Sequence, residues 1–298
     1  MVSVLRQPML YRLGHRFLTR HAQLRSGRLN AHDSCLHYLD NCRVQQPTLL
    51  LLHGLTGDHS VWLPVVRHLG KRYRVIIPDL AGHGESEFIA GLDYSAASQA
   101  SRIAALVEML GVDTFHVHGN SMGGWIACLL AERMRDRVRT VGLMCPAGMA
   151  STGASWLDLQ LRAGNNPFLT EDEPAYRRFL AAIQRRPHWA ARAFHGYLYR
   201  NHASRLAAYR QLYADYIAHR IDPTLLTGLR MRVGVVWSRH DDVLHSSALA
   251  GWRRGLPAAR IDSWEDTGHL VMLDAPRRVA RWMETLMKSA LPEATDHE

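Results

Sequence analysis

Thr114-Phe115-His116-Val117-His118-Gly119-Asn120-Ser121-Met122-Gly123-Gly124-Trp125-Ile126-Ala127-Cys128-Leu129-Leu130 is the stretch that decides the fold. Thr114 to His118 reads as a short buried strand, Gly119 to Ser121 as a tight turn, and Met122 to Arg133 as a helix with apolar residues at helical period. The same strand-then-loop pattern stands upstream at Thr48 to Leu52 before His53-Gly54, and at Arg74 to Ile77 before Pro78-Asp79. Helical periods at His59 to Leu69 and Ala97 to Leu110 lie between them. Downstream, Val138 to Met144, Arg232 to Trp237 and Arg260 to Trp264 continue the strands, and Arg277 to Ala290 closes the chain as a helix. Strands alternating with helices predict an α/β fold, a doubly wound, mostly parallel sheet with right-handed crossovers. The alternation breaks between Met144 and Met231. That stretch begins with turn residues (Gly164-Asn165-Asn166-Pro167) and goes on in helical segments dense in Tyr, Phe and Arg, which predicts a helical insertion over the carboxyl edge of the sheet.

Composition narrows the function classes. The chain has 298 residues, 47% hydrophobic and 21% charged, enough for a large core and too apolar for a disordered chain. No apolar run is long enough to span a bilayer, and the first residues lack the apolar segment of an export signal. Four cysteines without a C-x-x-C pair predict neither a disulfide framework nor a zinc site, and a cytoplasmic setting is expected. Six of the nine excess positive charges are arginines of residues 1–28, which hold no acid, so the body is nearly balanced. Without an arginine-rich helix bearing interleaved aromatics, a zinc finger or an RNP-like stretch, no nucleic-acid partner is expected. With no H-E-x-x-H, no G-x-x-x-x-G-K-[ST] and no strand-linked G-x-G-x-x-G, no metal or cofactor is expected either.

The chemistry centres on Gly119-Asn120-Ser121-Met122-Gly123. From 22 Gly and 17 Ser, about 0.1 G-x-S-x-G pentapeptides arise by chance, so its place between a strand and a helix carries the weight. A serine on that strained turn projects its Oγ above the sheet, beside the positive end of a helix. Serine needs a base, and the base needs an orienting acid. His269, after the last strand, is the candidate base, and Asp241, at the carboxyl end of the strand Val233 to Trp237, is the candidate acid, with its neighbour Asp242 as the alternative. A developing oxyanion needs two backbone donors. Met122, directly after the serine, supplies one, and Leu55, behind His53-Gly54, the other. His53 is read as organising that loop, with a role as base as the alternative. Asp79 to Ser86 is read as a structured turn.

These residues carry a resemblance. His53-Gly54, Asp79-x-x-Gly82-x-Gly84-x-Ser86, Gly119-Asn120-Ser121-Met122-Gly123-Gly124, Ser238-x-x-Asp241 and Gly268-His269, in this order, resemble the α/β-hydrolase superfamily. Gly54 to Trp62, Pro146 to Met149 and Gly164 to Phe168 are similar to bacterial family V lipases and esterases and to monoacylglycerol-lipase-like hydrolases. The resemblance implies a cap inserted after the sixth strand, and a domain division into an arm (1–28), a core (29–145 and 229–298) and a cap (146–228). It implies a serine carboxylic-ester hydrolase for apolar, short- to medium-chain or monoacylglycerol esters. The rivals are a carbon–carbon bond hydrolase of the meta-cleavage type, which shares the G-N-S-M-G-G turn, and a scaffold that binds ligands without catalysis. In the arm, Leu5, Met9, Leu13 and Phe17 recur every four residues among arginines. Two readings stand: a helix packing its stripe on the body, and an interfacial helix that associates peripherally with anionic membranes.

Overall fold

The computed structural model describes residues 7–186, 193–219 and 221–288. Its centre is an eight-stranded sheet of order β1-β2-β4-β3-β5-β6-β7-β8. The strands are β1 Arg25–Ala31, β2 Ser34–Asp40, β3 Thr48–Leu52, β4 Arg74–Pro78, β5 Phe115–Asn120, β6 Val138–Met144, β7 Arg232–Ser238 and β8 Arg260–Trp264. β1 and β2 form an antiparallel hairpin and β2 runs antiparallel to β4, whereas every later pairing is parallel. The helices, in chain order, are α1 Gln7–His21, α2 Leu63–Leu69, α3 Ala96–Met109, α4 Met122–Arg133, α5 Trp156–Arg162, α6 Glu173–Ile183, α7 His195–Ala203, α8 Leu206–Ile217, α9 Leu249–Gly255, α10 Val271–Asp274 and α11 Pro276–Lys288.

β3 shows why the strand runs are unbroken. Leu50 and Leu52 join Ile103 and Leu106 of α3 and Ile126 and Leu130 of α4 on one face. Leu49 and Leu51 join Leu63 and Val66 of α2 and Met283 and Met287 of α11 on the other. Alternate side chains enter opposite cores, so a strand covered on both faces is apolar throughout. Truncating any of these leucines to Ala removes about 2–5 kcal/mol.

Two expectations are corrected. β1, Arg-Ser-Gly-Arg-Leu-Asn-Ala, is a largely exposed edge strand, and β2, Ser-Cys-Leu-His-Tyr-Leu-Asp, is mostly buried but broken by Ser, His and Asp, so neither has the apolar run that marks the strands from Thr48 onward. Since Arg25 and Arg28 pair in the sheet, the arm ends before residue 25 and not at 28. Within the arm, the stripe does not pack on the body: Phe17 is 68%, Met9 58% and Leu13 53% exposed. The inward face is aromatic and polar instead. The Tyr11 ring lies 4.8 Å from that of Tyr197 and 5.8 Å from that of Phe194, and His15 Nε2 stands 2.8 Å from His59 Nε2.

The segment between β6 and β7 is helical, α5 to α8. Its helix starts are written in the sequence: Ser155 and Asp158 form a reciprocal capping box on α5, and Asp172 caps α6 ahead of Pro174. It lies against loops at the carboxyl ends of the strands. Leu212 abuts Gly82 after β4, and the Leu270 N–H after β8 donates to the Ile183 carbonyl at 2.9 Å. Among the described residues no helix is long and apolar enough to cross a membrane.

Candidate active site

Ser121 joins β5 to α4 at φ +55°, a left-handed conformation that costs a non-glycine residue about 1–3 kcal/mol. The surroundings enforce it. The Ser121 N–H donates to the Met144 carbonyl at 3.0 Å, and its own carbonyl accepts from Gly124 and Ala147. A Cβ on Gly119 would stand 2.1 Å from the Gly123 carbonyl oxygen, and one on Gly123 would stand 2.4 Å from that of His53, so both must be glycine for the turn to close. Although Ser121 occupies the N-cap position of α4, its hydroxyl makes no capping bond.

The base and acid candidates meet. His269 Nδ1 lies 2.8 Å from Asp241 Oδ2, and Asp241 Oδ1 accepts the Val243 and Leu244 N–H groups at 2.9 and 2.8 Å. Asp242 is exposed, and partial burial together with the charge of Asp241 raises its pKa. The Asn120 amide donates to the His269 carbonyl at 3.1 Å and to the Met144 carbonyl at 2.9 Å. The residue before the serine therefore clamps the backbone of the histidine loop. Sequence reasoning missed Asp274, which accepts the Gly268 N–H at 2.7 Å and those of Arg185 and Arg186 at 2.9 and 3.0 Å, joining the histidine loop to the end of α6.

The two segments that hold the proposed oxyanion donors lie next to the serine. Met122 is the first residue of α4, and a Cβ on Gly54 would stand 3.1 Å from Ser121 Cβ, which brings the Gly54-Leu55 loop alongside. His53 is fully buried, its Nε2 accepts the Leu80 N–H at 3.0 Å, and its Nδ1 donates to the Gly54 carbonyl at 2.8 Å. That pairing fixes one neutral tautomer, and burial lowers its pKa further, so His53 braces the loop and stands apart from Asp241.

Residues 47–276 match the family described as alpha/beta hydrolase fold. The chain belongs to that family. This alpha/beta hydrolase is 27% identical over 243 residues to Lipase 1 of Psychrobacter immobilis, covering 80% of its own chain and 76% of that protein. It is 28% identical over 261 residues to monoacylglycerol lipase abhd6-A of Xenopus laevis, covering 81% and 75%. Among solved structures it is similar to a membrane phospholipase A described as a novel bacterial virulence factor, at TM-score 0.91 and 26% identity, covering 97% of this chain and 94% of that one.

One feature of the hydrolase exceeds the turn geometry expected for Asp79 to Ser86. Asp79 is fully buried and accepts from His37 Nδ1 (2.8 Å), His59 Nδ1 (2.9 Å), the His59 N–H (2.7 Å) and the Glu85 N–H (2.9 Å). Burial alone would raise its pKa, but the bonds from His37 and His59 hold it well below the usual carboxylate range. Burial likewise opposes a charge on His59. The bond and charge of Asp79, with Asp58 and Glu85 beyond, outweigh burial and raise His59 to about 9. His15 is lowered, by burial and then by the positive His59. The chain His15–His59–Asp79 thus seats α1 on the end of the loop that carries Leu55. Among the described residues, two clusters bring three metal-ligating atoms within 4.8 Å of one another, His37/His59/Asp79 and Cys145/Asp241/His269. In each the carboxylate is already engaged by N–H donors, an arrangement suited to holding protons. Above the site, rings run from Tyr176 through His202 and Tyr209 to His83 and His53, at spacings of 4.6, 5.4, 6.3 and 5.2 Å. Phe168 packs against both Phe179 and Tyr213.

Proposed function

We propose that this protein is a serine carboxylic-ester hydrolase of the esterase and lipase type, working through an acyl-Ser121 intermediate. Ser121 Oγ attacks the ester carbonyl as His269 takes its proton. Asp241 holds the imidazole through Nδ1 and stabilises the imidazolium, and the N–H groups of Leu55 and Met122 receive the oxyanion. His269 then protonates the leaving alcohol, and the same residue activates the water that deacylates the enzyme. The observation that carries this reading is one connected assembly: Asn120, the residue before Ser121, bonds the His269 backbone while the His269 ring bonds Asp241.

Residues 146–228, with α5 to α8, are read as the cap, and the rest after α1 as the core. The cap's aromatic residues favour apolar acyl groups of short to medium length, monoacylglycerols among them, in keeping with the names of the lipase relatives. The exposed Met9, Leu10, Leu13, Phe17 and Leu18 beside the exposed Arg16 and Arg20 suit α1 to the surface of an anionic bilayer, each arginine near lipid phosphates adding about 1 kcal/mol. Four free cysteines fit a reducing compartment, the cytoplasm, with the enzyme docked on the membrane from that side. A panel of p-nitrophenyl esters from acetate to palmitate, with a monoacylglycerol and a ring-fission dienoate beside it, tests the substrate class. Ester turnover peaking at intermediate chain length is expected, and hydrolysis of the dienoate alone overturns the reading.

A further inference from the structure

Cys145 stands beside the proposed triad without a task in the reaction above. It follows β6 directly, is fully buried, and adopts φ +42°, a conformation rare for a residue with a side chain. Its N–H donates to the Val236 carbonyl at 2.8 Å, hooking the end of β6 onto β7. In that position its sulfur, a carboxylate oxygen of Asp241 and a ring nitrogen of His269 lie within 4.8 Å of one another. The sulfur accepts the Ser238 N–H at 3.4 Å, which leaves the S–H free to turn toward the neighbouring carboxylate. Burial, and then the charge of Asp241, push the thiol's pKa far up, so it remains a donor at any working pH.

The acceptor sites of Asp241 show what the thiol does there. A carboxylate offers about four lone-pair directions. Oδ1 uses two on the Val243 and Leu244 N–H groups, and Oδ2 uses one on His269 Nδ1. We propose that Cys145 is a positioning residue: its S–H fills the remaining acceptor direction of Asp241 and so fixes the carboxylate plane that orients His269. This rests on the ester-hydrolase reading of the site. Removing the donor leaves more of the carboxylate's charge to the imidazole, so His269 keeps its proton to higher pH.

The test is the pH profile of kcat and KM for p-nitrophenyl butyrate in the full-length wild type and in Cys145→Ala, Cys145→Ser and Asp241→Asn. Cys145→Ala is expected to lose about fivefold in kcat with KM within about twofold, and its acid limb moves to higher pH, as for loss of a weak donor to a charged group. Cys145→Ser, whose hydroxyl also donates, returns kcat to within about twofold of wild type, with the limb at or below the wild-type pH. The serine variant decides the question even where the alanine variant does not fold. A wild-type profile in Cys145→Ala, or a serine variant with its acid limb displaced to higher pH, overturns the inference while an inactive Asp241→Asn leaves the ester-hydrolase reading standing. Full activity in Asp241→Asn overturns that reading itself.

Discussion

Replacing Asp79 by Asn removes one negative charge from a fully buried cluster, and the change is readable as a pH dependence. Asp79 holds His59 in the charged form by raising it from 6.5 to about 9. At 1.36 kcal/mol per unit, that differential binding of one proton is worth about 3 kcal/mol, of the size measured when one partner of a buried pair is removed. The sign follows from the direction of the shift. A histidine raised in the folded state contributes fully below its unfolded value of 6.5, and the contribution disappears as pH climbs through about 9. The wild type therefore loses about 3 kcal/mol between pH 6.5 and 9.5 that Asp79→Asn does not lose. Urea unfolding followed by tryptophan fluorescence at both pH values measures it. The variant is expected to be less stable by about 3–5 kcal/mol at pH 6.5, including the weakened bonds to His37 and Glu85, and by only about 1 kcal/mol at pH 9.5. Parallel wild-type and variant curves across this window refute the charge assignment.

The acid side has the opposite cause. Burial pushes His83 and His118 down to about 3 and His116 and His202 to about 4, so wild-type stability falls steadily as pH drops below 6.5 toward those values, and the same urea series extended to pH 4.5 reads it. Asp241→Asn should lose about 10⁴ in kcat while Asp242→Asn stays near wild type, and steady-state kinetics showing the reverse transfers the acid by one residue. Asp274→Ala frees the Gly268, Arg185 and Arg186 N–H groups and should lower kcat/KM at least about tenfold on acetate and octanoate esters alike, since a displaced His269 serves both; a loss confined to octanoate assigns Asp274 to the cap alone. Leu13→Glu with Phe17→Glu should abolish pelleting with anionic vesicles and leave turnover of p-nitrophenyl acetate unchanged; undiminished pelleting removes α1 from the membrane account.

What was legible depended on whether a signal is local. The bounds of β3, β6 and α4 are readable because strands covered on both faces, and a helix opened by a glycine turn, carry their environment in contiguous residues. The β1 edge strand has solvent on one side and so no apolar run to announce it. Asp79 looked like part of a turn, since its partners His37 and His59 are 42 and 20 residues away and only the folded sheet gathers them. Asp274 and Cys145 are hidden for the same reason: each acts on the site through backbone or carboxylate groups of another segment. Hydropathy leaves two directions open for α1. The face that docks uses Tyr11 and His15, whose bonds and ring contacts rank low on any apolar scale, and the apolar face is left outside.

The serine nucleophile is tested most directly by intact and peptide mass spectrometry after treatment with a fluorophosphonate. The account predicts one adduct per chain, confined to the peptide bearing Ser121, absent from Ser121→Ala, and formed in step with the loss of esterase activity. An unmodified Ser121 in a fully inactivated enzyme, or a Ser121→Ala variant that keeps more than about a hundredth of the wild-type kcat, contradicts it.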